Sequence, residues 1–526
     1  MAFLLHHLVS ESALRYPERD AIIFKDRALT FAALDRESNK LAHLLVSLKI
    51  EKGDRVGLYL DRGIEAIIAA CAVLKTGAIY VPIDPASPTR RVSYIIEKCG
   101  IKTLVTFQEK LTKLEKAFPE DIPFTQVVLM DETEPIASAL RTVQLVSRRS
   151  ISEEFGKRAP SVNIIDSDIA YILFTSGSTG NPKGVMLSHQ NSLTFVNSSC
   201  CFFRIGKEDR LSNIAPLHFD MSIFDIFVAF KAGACVVVVP EAFAMFPAKL
   251  AEYIADKKIT VWNSVPSALS LLATYKNLNA CDLSSLRLIL FAGELFPLKY
   301  LRILQDAIPR ARFCNMYGQT EANSSTYFWV DQVSTDDKGV LPIGKSLPNF
   351  EVFALDENGA CITAPGSQGE LYIRASTVAL GYWGEPEKTE CAFVRNPLRP
   401  ELRERVYKTG DLVHLDSDGN YIFSGRKDHM IKSRGYRIEI GEIENVLCSH
   451  PEIKNAVVIP IPDELIGNRL LAVIEPLMIG KITRDDVLKY CMVQLPKYMV
   501  PETVQFYDSL PMTSSGKVDR KKLSEL

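Results

Sequence analysis

Phe174-Thr-Ser-Gly-Ser-Thr-Gly-Asn-Pro-Lys-Gly184 is the stretch of this chain from which the fold follows most directly. Its glycines allow backbone N–H groups to approach phosphate oxygens, and its hydroxyl side chains supply further donors. Its lysine adds a positive charge on a flexible stem. The segment therefore predicts a loop that binds the phosphates of a nucleotide. The residues expected to contact them are Thr175, Ser176, Gly177, Ser178, Thr179, Gly180 and Lys183.

The residues around this loop indicate an α/β setting. Ile169-Ala-Tyr-Ile-Leu-Phe174 is an apolar, partly β-branched run that predicts a buried strand, and order resumes at Val185. The spacing is not that of the P-loop, because no Gly-Lys-Ser/Thr follows four residues after a glycine. A flexible Gly/Ser linker is the alternative, although linkers seldom lie between buried apolar runs.

The rest of the chain divides into regions of different character. Helical and strand-like runs alternate to about residue 330, which predicts an α/β fold with two largely parallel sheets. Residues 343–425 carry short strands between Gly- and Pro-bearing turns, which predicts a β-rich subdomain. A chain of 526 residues exceeds the size of one core. We therefore expect a large N-terminal domain, residues 1–427, and a small mobile α+β domain, residues 428–526.

Composition narrows the class of protein. The apolar fraction of 47% and the charged fraction of 24% are ordinary for a globular protein, and a formal charge of −2 argues against nucleic acid as a partner. The eleven cysteines include no Cys-x-x-Cys pair, which indicates reduced thiols in the cytoplasm. The N-terminus lacks a basic start and a cleavage site, and the apolar run 66–74 is too short to span a bilayer. We expect a cytoplasmic protein without a membrane or nucleic-acid partner.

Five further motifs follow the phosphate loop along the chain. They are Asn315-Met-Tyr-Gly-Gln-Thr-Glu321, Tyr407-Lys-Thr-Gly-Asp411, Gly425-Arg-Lys-Asp428, Arg434-Gly-Tyr-Arg-Ile-Glu439 and Ser515-Gly-Lys517. Together they resemble the adenylate-forming superfamily of acyl-CoA synthetases, luciferases and nonribosomal-peptide adenylation domains. Such enzymes join a carboxylate to ATP, release pyrophosphate and then pass the acyl group to a thiol. The segments Leu29-Thr-Phe, Leu74-Lys-Thr-Gly-Ala-Ile-Tyr-Val-Pro-Ile-Asp84 and Leu510-Pro-Met-Thr further resemble the amino-acid-activating branch.

The resemblance implies roles for individual residues. Lys517 would reach between the carboxylate and the α-phosphate, and Glu321 would hold Mg²⁺, which prefers oxygen ligands. Thr320 and Thr179 would contact phosphate. Of the remaining ATP contacts, Asp411 would accept from the ribose hydroxyls, Asn315 would bind the adenine amino group and Tyr317 would stack on the ring. The ATP contacts outside the phosphate loop are Gly293, Glu294, Asn315, Met316, Tyr317, Gly318, Asp411, Arg426 and Lys517.

Without the resemblance these residues have plainer interpretations. Asn315 and Tyr317 fit packing and turn positions, and Asp411 beside a glycine fits a turn. Lys517 close to a charged tail fits a solvated side chain. His6, His7 and His189 have no companions that suggest a metal site, so we expect them to be structural or surface residues.

The same resemblance implies two orientations of the C-terminal domain. Asp428 corresponds to the hinge, where a loop residue absorbs a large dihedral change. In one orientation Lys517 enters the site. In the other, the strand from Gly435 to Glu439 replaces it and lines a tunnel for the thiol. Lys517 should therefore matter for adenylation and much less for thiolation.

The substrate is expected to be an amino acid. Asp220, in His218-Phe219-Asp220, stands where amino-acid-activating members pair a carboxylate with the substrate ammonium; a helix N-cap is the alternative. No pocket residue carries a charge, so a small neutral amino acid is predicted. Phe224 and Asn263 resemble the pocket positions of members that activate alanine and related small residues, so alanine is expected first, and proline, serine and glycine remain open. The residues predicted to line the side-chain pocket are Met221, Phe224, Asn263, Leu290, Ala292, Met316, Ser324 and Ser325.

Only nine residues follow Lys517, so we expect a free-standing ligase that loads the phosphopantetheine arm of a separate carrier protein. Gln319 stands where proline is common in the family, a departure that should leave the roles of Thr320 and Glu321 intact. Two alternatives remain. An acyl-CoA or aryl-CoA ligase is disfavoured by Asp220, and a non-catalytic nucleotide-binding pseudo-ligase is disfavoured by the intact Lys517, Glu321 and Asp411.

Overall fold

The structure of this chain is a computed structural model. It describes residues 2–117, 124–131, 143–148, 152–177, 181–334, 337, 339–428, 430–478, 480–511 and 520–524. Within these ranges, no helix combines the length and the apolar composition that crossing a bilayer requires.

Helices alternate with strands along the described chain. Local signals fix several of their ends: the Thr30 hydroxyl accepts from the backbone N–H of Ala33 to cap α2 (Phe31–Ser47), and Gly100, at φ +58°, ends α4 (Thr89–Cys99). The helices are α1 (His7–Arg15), α2, α3 (Ile64–Lys75), α4, α5 (Gln108–Ala117), α6 (His189–Phe202), α7 (Met221–Ile223), α8 (Ala229–Ala232), α9 (Glu241–Ala244), α10 (Pro247–Asp256), α11 (Pro266–Ala273), α12 (Leu298–Ala307), α13 (Pro386–Ala392), α14 (Ile440–Cys448), α15 (Arg484–Gln494) and α16 (Arg520–Ser524). A π-helical turn, Phe224–Val228, joins α7 to α8, and short 3₁₀ turns are formed by Glu153–Lys157, Leu278–Ala280 and Lys497–Met499.

The strands are short and mostly buried. In chain order they are β1 (Asp20–Phe24), β2 (Arg27–Thr30), β3 (Arg55–Tyr59), β4 (Ile79–Pro82), β5 (Thr103–Thr106), β6 (Gln126–Leu129), β7 (Gln144–Ser147), β8 (Ile169–Thr175), β9 (Lys183–Ser188), β10 (Arg210–Asn213), β11 (Cys235–Val238), β12 (Val261–Ser264), β13 (Leu288–Ala292), β14 (Arg312–Gln319), β15 (Asn323–Val330), β16 (Lys345–Ser346), β17 (Glu351–Leu355), β18 (Gln368–Arg374), β19 (Gly381–Tyr382), β20 (Phe393–Arg395), β21 (Arg405–Leu415), β22 (Tyr421–Arg426), β23 (Met430–Ser433), β24 (Tyr436–Glu439), β25 (Ile453–Asp463), β26 (Gly467–Pro476) and β27 (Thr503–Phe506).

Two large sheets form the N-terminal part, and both are mainly parallel. One has the order β16-β15-β14-β13-β12-β10-β11-β1-β2, with antiparallel pairs only at its two ends. The other has the order β19-β9-β8-β4-β3-β5-β6-β7, with β9 and β19 antiparallel at one end. Strands such as β11 are buried at every residue, as expected for parallel strands covered on both faces. The predicted α/β fold with two parallel-type sheets is therefore confirmed.

The later strands form smaller sheets. An antiparallel sheet of β17, β18, β21, β20 and β22 ends one residue beyond the region predicted to be β-rich, residues 343–425. That region also holds β16, paired with β15, and β19, paired with β9. Beyond it, β23 pairs with β24, and β25, β26 and β27 form a separate sheet. These C-terminal strands pack with α14 and α15 around their own hydrophobic core, which includes Ile443, Val458 and Ala472. The domain boundary at residue 428 and the mobility of the C-terminal domain stay predictions.

A buried lysine ties α3 to α2. The sequence of α3 is almost entirely apolar, and every residue of the helix is buried. Its last residue, Lys75, has a fully buried side chain whose Nζ donates to Asp35 Oδ1 at 2.7 Å, Ser38 Oγ at 2.8 Å and Asn39 Oδ1 at 2.6 Å. A buried ammonium is tolerated only with such partners.

A second buried ion pair joins the N-terminal part to the C-terminal part. Arg91 of α4 donates to Glu442 of α14 at 2.6 Å, and both side chains are less than a tenth exposed. Next to it, Arg90 is exposed and donates to Gln494 at 2.9 Å. These contacts hold α14 and α15 against α4.

Lys75→Ala should destabilise the fold strongly. It leaves the Asp35 carboxylate, the Ser38 hydroxyl and the Asn39 amide without their shared partner, which we expect to cost about 3 kcal/mol of the free energy of unfolding. Lys113→Ala is the control, because Lys113 forms an exposed pair with Glu109 that solvent screens, so its loss should change the free energy of unfolding little. Urea unfolding of both variants measures the difference. Equal losses would show that the Lys75 network contributes no more than a surface pair.

Candidate functional site

A cavity of about 660 Å³ lies between the N-terminal sheets and the C-terminal strands. Its walls come from the ends of β13 and β14, from the β-rich sheet and from the C-terminal part. Residues on its walls include Gly293, Glu294, Asn315, Met316, Tyr317, Asp411, Arg426, Asp428, Lys432, Pro460, Asn468 and Arg520. The structure thus gathers into one cavity most of the predicted ATP contacts outside the phosphate loop.

Asp411 is a heavily bonded carboxylate on this wall. It accepts hydrogen bonds from the Tyr317 hydroxyl, from Arg426 and, at 2.7 Å, from the Gln319 amide. Gln319, which departs from the family pattern, is itself fixed because its amide also donates to the Thr409 carbonyl at 3.1 Å. Asp411 thus has a fixed orientation at the cavity wall.

Asn315 and Glu294 also line this cavity. The Asn315 amide donates to the Pro342 carbonyl at 2.8 Å. Glu294 accepts from the backbone N–H of Ser267 at 3.0 Å and from that of Gly435, and burial raises its pKa. Gly318, at the end of β14, admits no side chain, since a Cβ there would lie 2.0 Å from the Asn323 carbonyl oxygen.

Glu321 is a carboxylate of the site that contacts two cations. Its side chain is fully buried and accepts from Lys183 at 3.1 Å, Arg437 at 3.0 Å and the Tyr382 hydroxyl at 2.9 Å. Burial alone would raise the pKa of Glu321, but the two cations outweigh it and hold that pKa well below its usual range. The sequence motif that contains Arg437 gives no sign of this partner.

The metal prediction rests on Glu321 alone. Across the described ranges, no group of three or more His, Cys, Asp or Glu side chains is placed to hold a metal ion. One carboxylate nonetheless fits Mg²⁺ at a nucleotide site, where phosphates and water supply the other oxygens. Arg437 already uses both carboxylate oxygens of Glu321 and would have to move to admit a metal.

The predicted phosphate loop is partly described. It connects β8 to the antiparallel strand β9, so the predicted strand before it is confirmed. The Thr175 hydroxyl is buried and has no partner within the described part of the chain, Ser176 donates to the Arg437 carbonyl at 2.7 Å, and a Cβ on Gly177 would lie 2.1 Å from the Asn181 carbonyl oxygen. An unpartnered hydroxyl beside a glycine fits a phosphate. Ser178, Thr179, Gly180 and Lys517 lie outside the described residues.

The C-terminal hairpin of β23 and β24 occupies the site. Gly435, at φ +79°, donates to Glu294, and Arg437 bonds to Glu321 and Ser176. This placement is the one that the family resemblance implies for the second orientation. Asp428 accepts from Arg426 at 2.6 and 2.7 Å, which links the predicted hinge to the Asp411 wall.

A second, smaller cavity of about 20 Å³ adjoins the first, and Met316 lines both. In the sheet, Asn263 pairs with Leu290 and Ala292 pairs with Met316, so the predicted pocket residues of β12, β13 and β14 come together. The residues lining the cavity are Phe195, Asp220, Met221, Phe224, Asn263, Leu290, Ala292, Met316, Asn323 and Ser324.

The predicted pocket needs one correction. Ser325 is not among the lining residues; it is fully buried and its hydroxyl donates to the Asn323 carbonyl at 3.0 Å. Neighbouring residues of a strand face opposite sides, so Ser324 and Ser325 cannot both face the cavity. Asn323, at φ +60°, and Phe195 line it instead and were missed, although a bend at Asn323 is a typical turn signal.

Asp220 lies in this cavity wall, next to the first cavity. It precedes α7, as the N-cap alternative requires, but its side chain makes no capping hydrogen bond. Burial raises the pKa of Asp220, against the effect of a hydrogen bond from Thr320. His218 and Phe219 lie outside the cavity: Phe219 packs edge-on against Tyr436 at 5.0 Å, and burial lowers the pKa of His218.

A second carboxyl, Asp225, lies behind the cavity. It is fully buried and accepts from Asn263 at 2.8 Å and from Asn213 at 3.1 Å. Burial raises the pKa of Asp225 to about 8, although these hydrogen bonds and Arg62 act in the opposite direction. The sequence offered no sign of this residue beyond its place in the segment after Asp220.

Comparisons with known proteins agree with this arrangement. Residues 9–383 match the AMP-binding enzyme family, and residues 442–517 match the AMP-binding enzyme C-terminal domain. The chain is 35% identical to the L-proline--[L-prolyl-carrier protein] ligase of Pseudomonas fluorescens, over 99% of each chain. It is 33% identical to tyrocidine synthase 1 of Brevibacillus parabrevis, over 99% of this chain but only 45% of that one. The crystal structure of IdnL1 superposes with a TM-score of 0.80 at 28% identity, over 97% of this chain and 99% of that one.

The raised pKa of Asp225 predicts a pH dependence of stability. Between the pH at which the unfolded carboxyl ionises, near 3.8, and the folded value of about 8, unfolding releases a proton. The contribution of Asp225 to stability is therefore complete at low pH and is lost as the pH rises through that window, by up to about 1.4 kcal/mol per pH unit.

Asp225→Asn removes this titration. We expect the free energy of unfolding of the wild type, minus that of the variant, to be larger at pH 5 than at pH 8, as measured by urea unfolding. Asp256→Asn, at an exposed position on α10, is the control and should show no such change. A constant difference for Asp225→Asn would mean that this carboxyl ionises at its ordinary pH.

Proposed function

The chain belongs to the family of AMP-binding enzymes, and on this premise we propose that it is an AMP-forming ligase for a small neutral L-amino acid. It activates the amino acid as an aminoacyl adenylate and transfers it to the phosphopantetheine thiol of a separate carrier protein. The observation that carries the proposal is Asp220, a partly buried carboxyl in the wall of a small cavity that shares Met316 with the larger cavity.

Asp220 is suited to an ammonium group. Among the described residues no cation forms an ion pair with Asp220, and burial raises its pKa more than the charge of Lys432 lowers it. A substrate ammonium would supply the missing charge, whereas a substrate without an amine would leave the carboxyl unpaired. This favours an amino acid over the fatty or aryl acids of acyl-CoA ligases, and no described contact favours that alternative.

The nucleotide would occupy the larger cavity. Asp411, held by Tyr317 and Arg426, faces it as an acceptor for ribose hydroxyls, and Asn315 lines the same cavity. Lys183 and the buried Thr175 hydroxyl lie at the phosphate loop. We assign ATP to this cavity on these contacts, together with the predicted Thr179, Gly293 and Gly318.

Mg²⁺ fits beside Glu321, where it would neutralise phosphate charge and keep the phosphates in place. The residues of the chain do the remaining work. Lys183 places a cation at the phosphate loop, and Thr320 orients Asp220 towards the amine. Lys517 would approach the α-phosphate, where negative charge grows as the carboxylate attacks.

Transfer to the thiol uses the arrangement seen here. The hairpin of β23 and β24 lies at the site, with Arg437 on Glu321, and the Arg91–Glu442 pair holds α14 against α4. We propose that this is the thiolation orientation and that rotation at Asp428 brings Lys517 in for adenylation.

The comparisons and the cavity restrict the substrate to a class of amino acids and do not identify a single one. The predicted preference for an alanine-like substrate finds no support in the comparisons, because a relative that matches this chain over its whole length is named for proline. Proline was among the open alternatives, with serine and glycine. The described residues that line the cavity carry no charge apart from Asp220, which keeps the substrate in the small neutral class.

Lys517→Ala should lower amino-acid-dependent exchange of pyrophosphate into ATP by about 100-fold or more, since it removes a cation facing the developing charge. Transfer from preformed aminoacyl adenylate to the carrier protein should fall much less. Lys497→Ala, an exposed lysine of the C-terminal part, is the control for charge removal. Unchanged exchange in Lys517→Ala would remove this residue from the adenylation step.

Asp220→Ala should raise the KM for the amino acid and reduce discrimination against the corresponding carboxylic acid without the amine. The comparison is made by substrate-dependent pyrophosphate exchange with each member of the pair, and Asp256→Ala is the control. If the unaltered protein used the acid without the amine as well as the amino acid, Asp220 would have no part in recognition.

A further inference from the structure

The smaller cavity has an amide in its wall, that of Asn263. Asn263 pairs with Leu290 across β12 and β13, whereas Ala292 and Met316 form the next layer of the same face, nearer the strand ends. The cavity is small, about 20 Å³. A group that fills it would therefore lie next to the Asn263 amide.

Asp225 fixes the direction of that amide. Asn263 Nδ2 donates to Asp225 Oδ1 at 2.8 Å, and Asn213 Nδ2 donates to Asp225 Oδ2 at 3.1 Å and to the Ala215 carbonyl at 2.9 Å. Asp225 accepts two amides at once and is fully buried, so it cannot swing away. An amide that commits its NH₂ group to a carboxyl offers its oxygen on the other side.

Asn263 Oδ1 has no donor in the parts of the chain that the structure covers. Around it, the walls are mainly methionine, phenylalanine, leucine and alanine side chains, which supply no hydrogen bond. Ser324 adds a hydroxyl that can donate or accept at the same cavity. A substrate that fills the cavity with a methyl group would leave the Asn263 oxygen unpaired, at a cost of about 1–3 kcal/mol.

We propose that Asn263 selects an amino acid whose side chain carries a hydroxyl donor, and that Asp225 is the positioning residue that keeps the Asn263 oxygen facing the substrate. The inference rests on the proposed function and narrows its substrate class. Serine, threonine or a hydroxylated proline is preferred over alanine, 2-aminobutyrate or proline.

Matched pairs of substrates test the proposal. Pyrophosphate exchange is measured with serine and alanine, threonine and 2-aminobutyrate, and 4-hydroxyproline and proline. In the wild type, the hydroxyl member of the best-used pair should have a kcat/KM at least about 5-fold higher, the lower end of what one hydrogen bond contributes. Asn263→Leu, which keeps the branched shape of the side chain but replaces the amide with two methyl groups, should abolish or reverse that ratio. Asn277→Leu, the same substitution at an exposed position, should leave it unchanged.

Asp225→Asn separates positioning from general stability. Its amide can donate to Asn263 and turn that side chain round, so we expect a higher KM for the hydroxyl substrate, little change in KM for its partner and little change in kcat for either. A purely structural role would alter both substrates alike. Thermal unfolding confirms that each variant is folded.

Binding measured without turnover distinguishes a failure of this proposal from a failure of the proposed function. Non-reactive sulfamoyl analogues of seryl and alanyl adenylate are titrated into the wild type by calorimetry, and the seryl analogue should bind at least about 5-fold more tightly. Equal or reversed affinities, with exchange present, would overturn this proposal and leave the proposed function standing. If neither analogue bound and no amino acid supported exchange, the proposed function would fall, and this inference with it.

Discussion

The site depends on the burial of one carboxylate, Glu321. Removing an ion from water costs several kcal/mol, and in a low-dielectric interior this cost is offset only by close partners. Here the partners come from three separate regions: Lys183 from β9, Tyr382 from β19 and Arg437 from the C-terminal hairpin. In the arrangement described, all three regions contribute to compensating the charge, so Glu321 links the phosphate loop, the sheet edge and the hairpin to one another.

The same constraint explains why the two cavities lie side by side. Glu321 lies two residues after the end of β14. Residues of β14 line both cavities, and Met316 is common to the two. The parallel strands β12, β13 and β14 end together at this point, and ligands of α/β sheets bind at the carboxyl ends of the strands. A nucleotide and an amino acid placed in these cavities would therefore lie on either side of the Met316 side chain.

Sequence predicted the parts of the site whose signals are local. The strand before the phosphate loop and most of the residues that line the small cavity follow from runs and motifs only a few residues long. Long-range pairings were not predictable in this way. Arg437 meets Glu321 across 116 residues and Gln319 meets Asp411 across 92, and neither motif specifies its partner. The mistake at Ser325 had another cause, because the facing of a strand after a bend at Asn323 depends on a register that only the structure gives.

Asp225 shows how the substrate cavity departs from the rules of an ordinary core. An apolar residue of similar volume would fill its position without the cost of a buried carboxyl, and replacing buried polar groups in this way is often neutral or stabilising. The Asp225 carboxyl instead holds the side chains of Asn213 and Asn263 in fixed directions. Its Oδ1 lies 2.8 Å from Nδ2 of Asn263, the amide that lines the cavity, and its burial has a cost in stability. Fixed amide geometry matters little to a core that is closed to other molecules, whereas at the wall of a substrate cavity it decides whether the ligand meets a donor or an acceptor. A packing explanation accounts for the apolar wall of Phe224 and Leu290; it does not account for a carboxyl behind it.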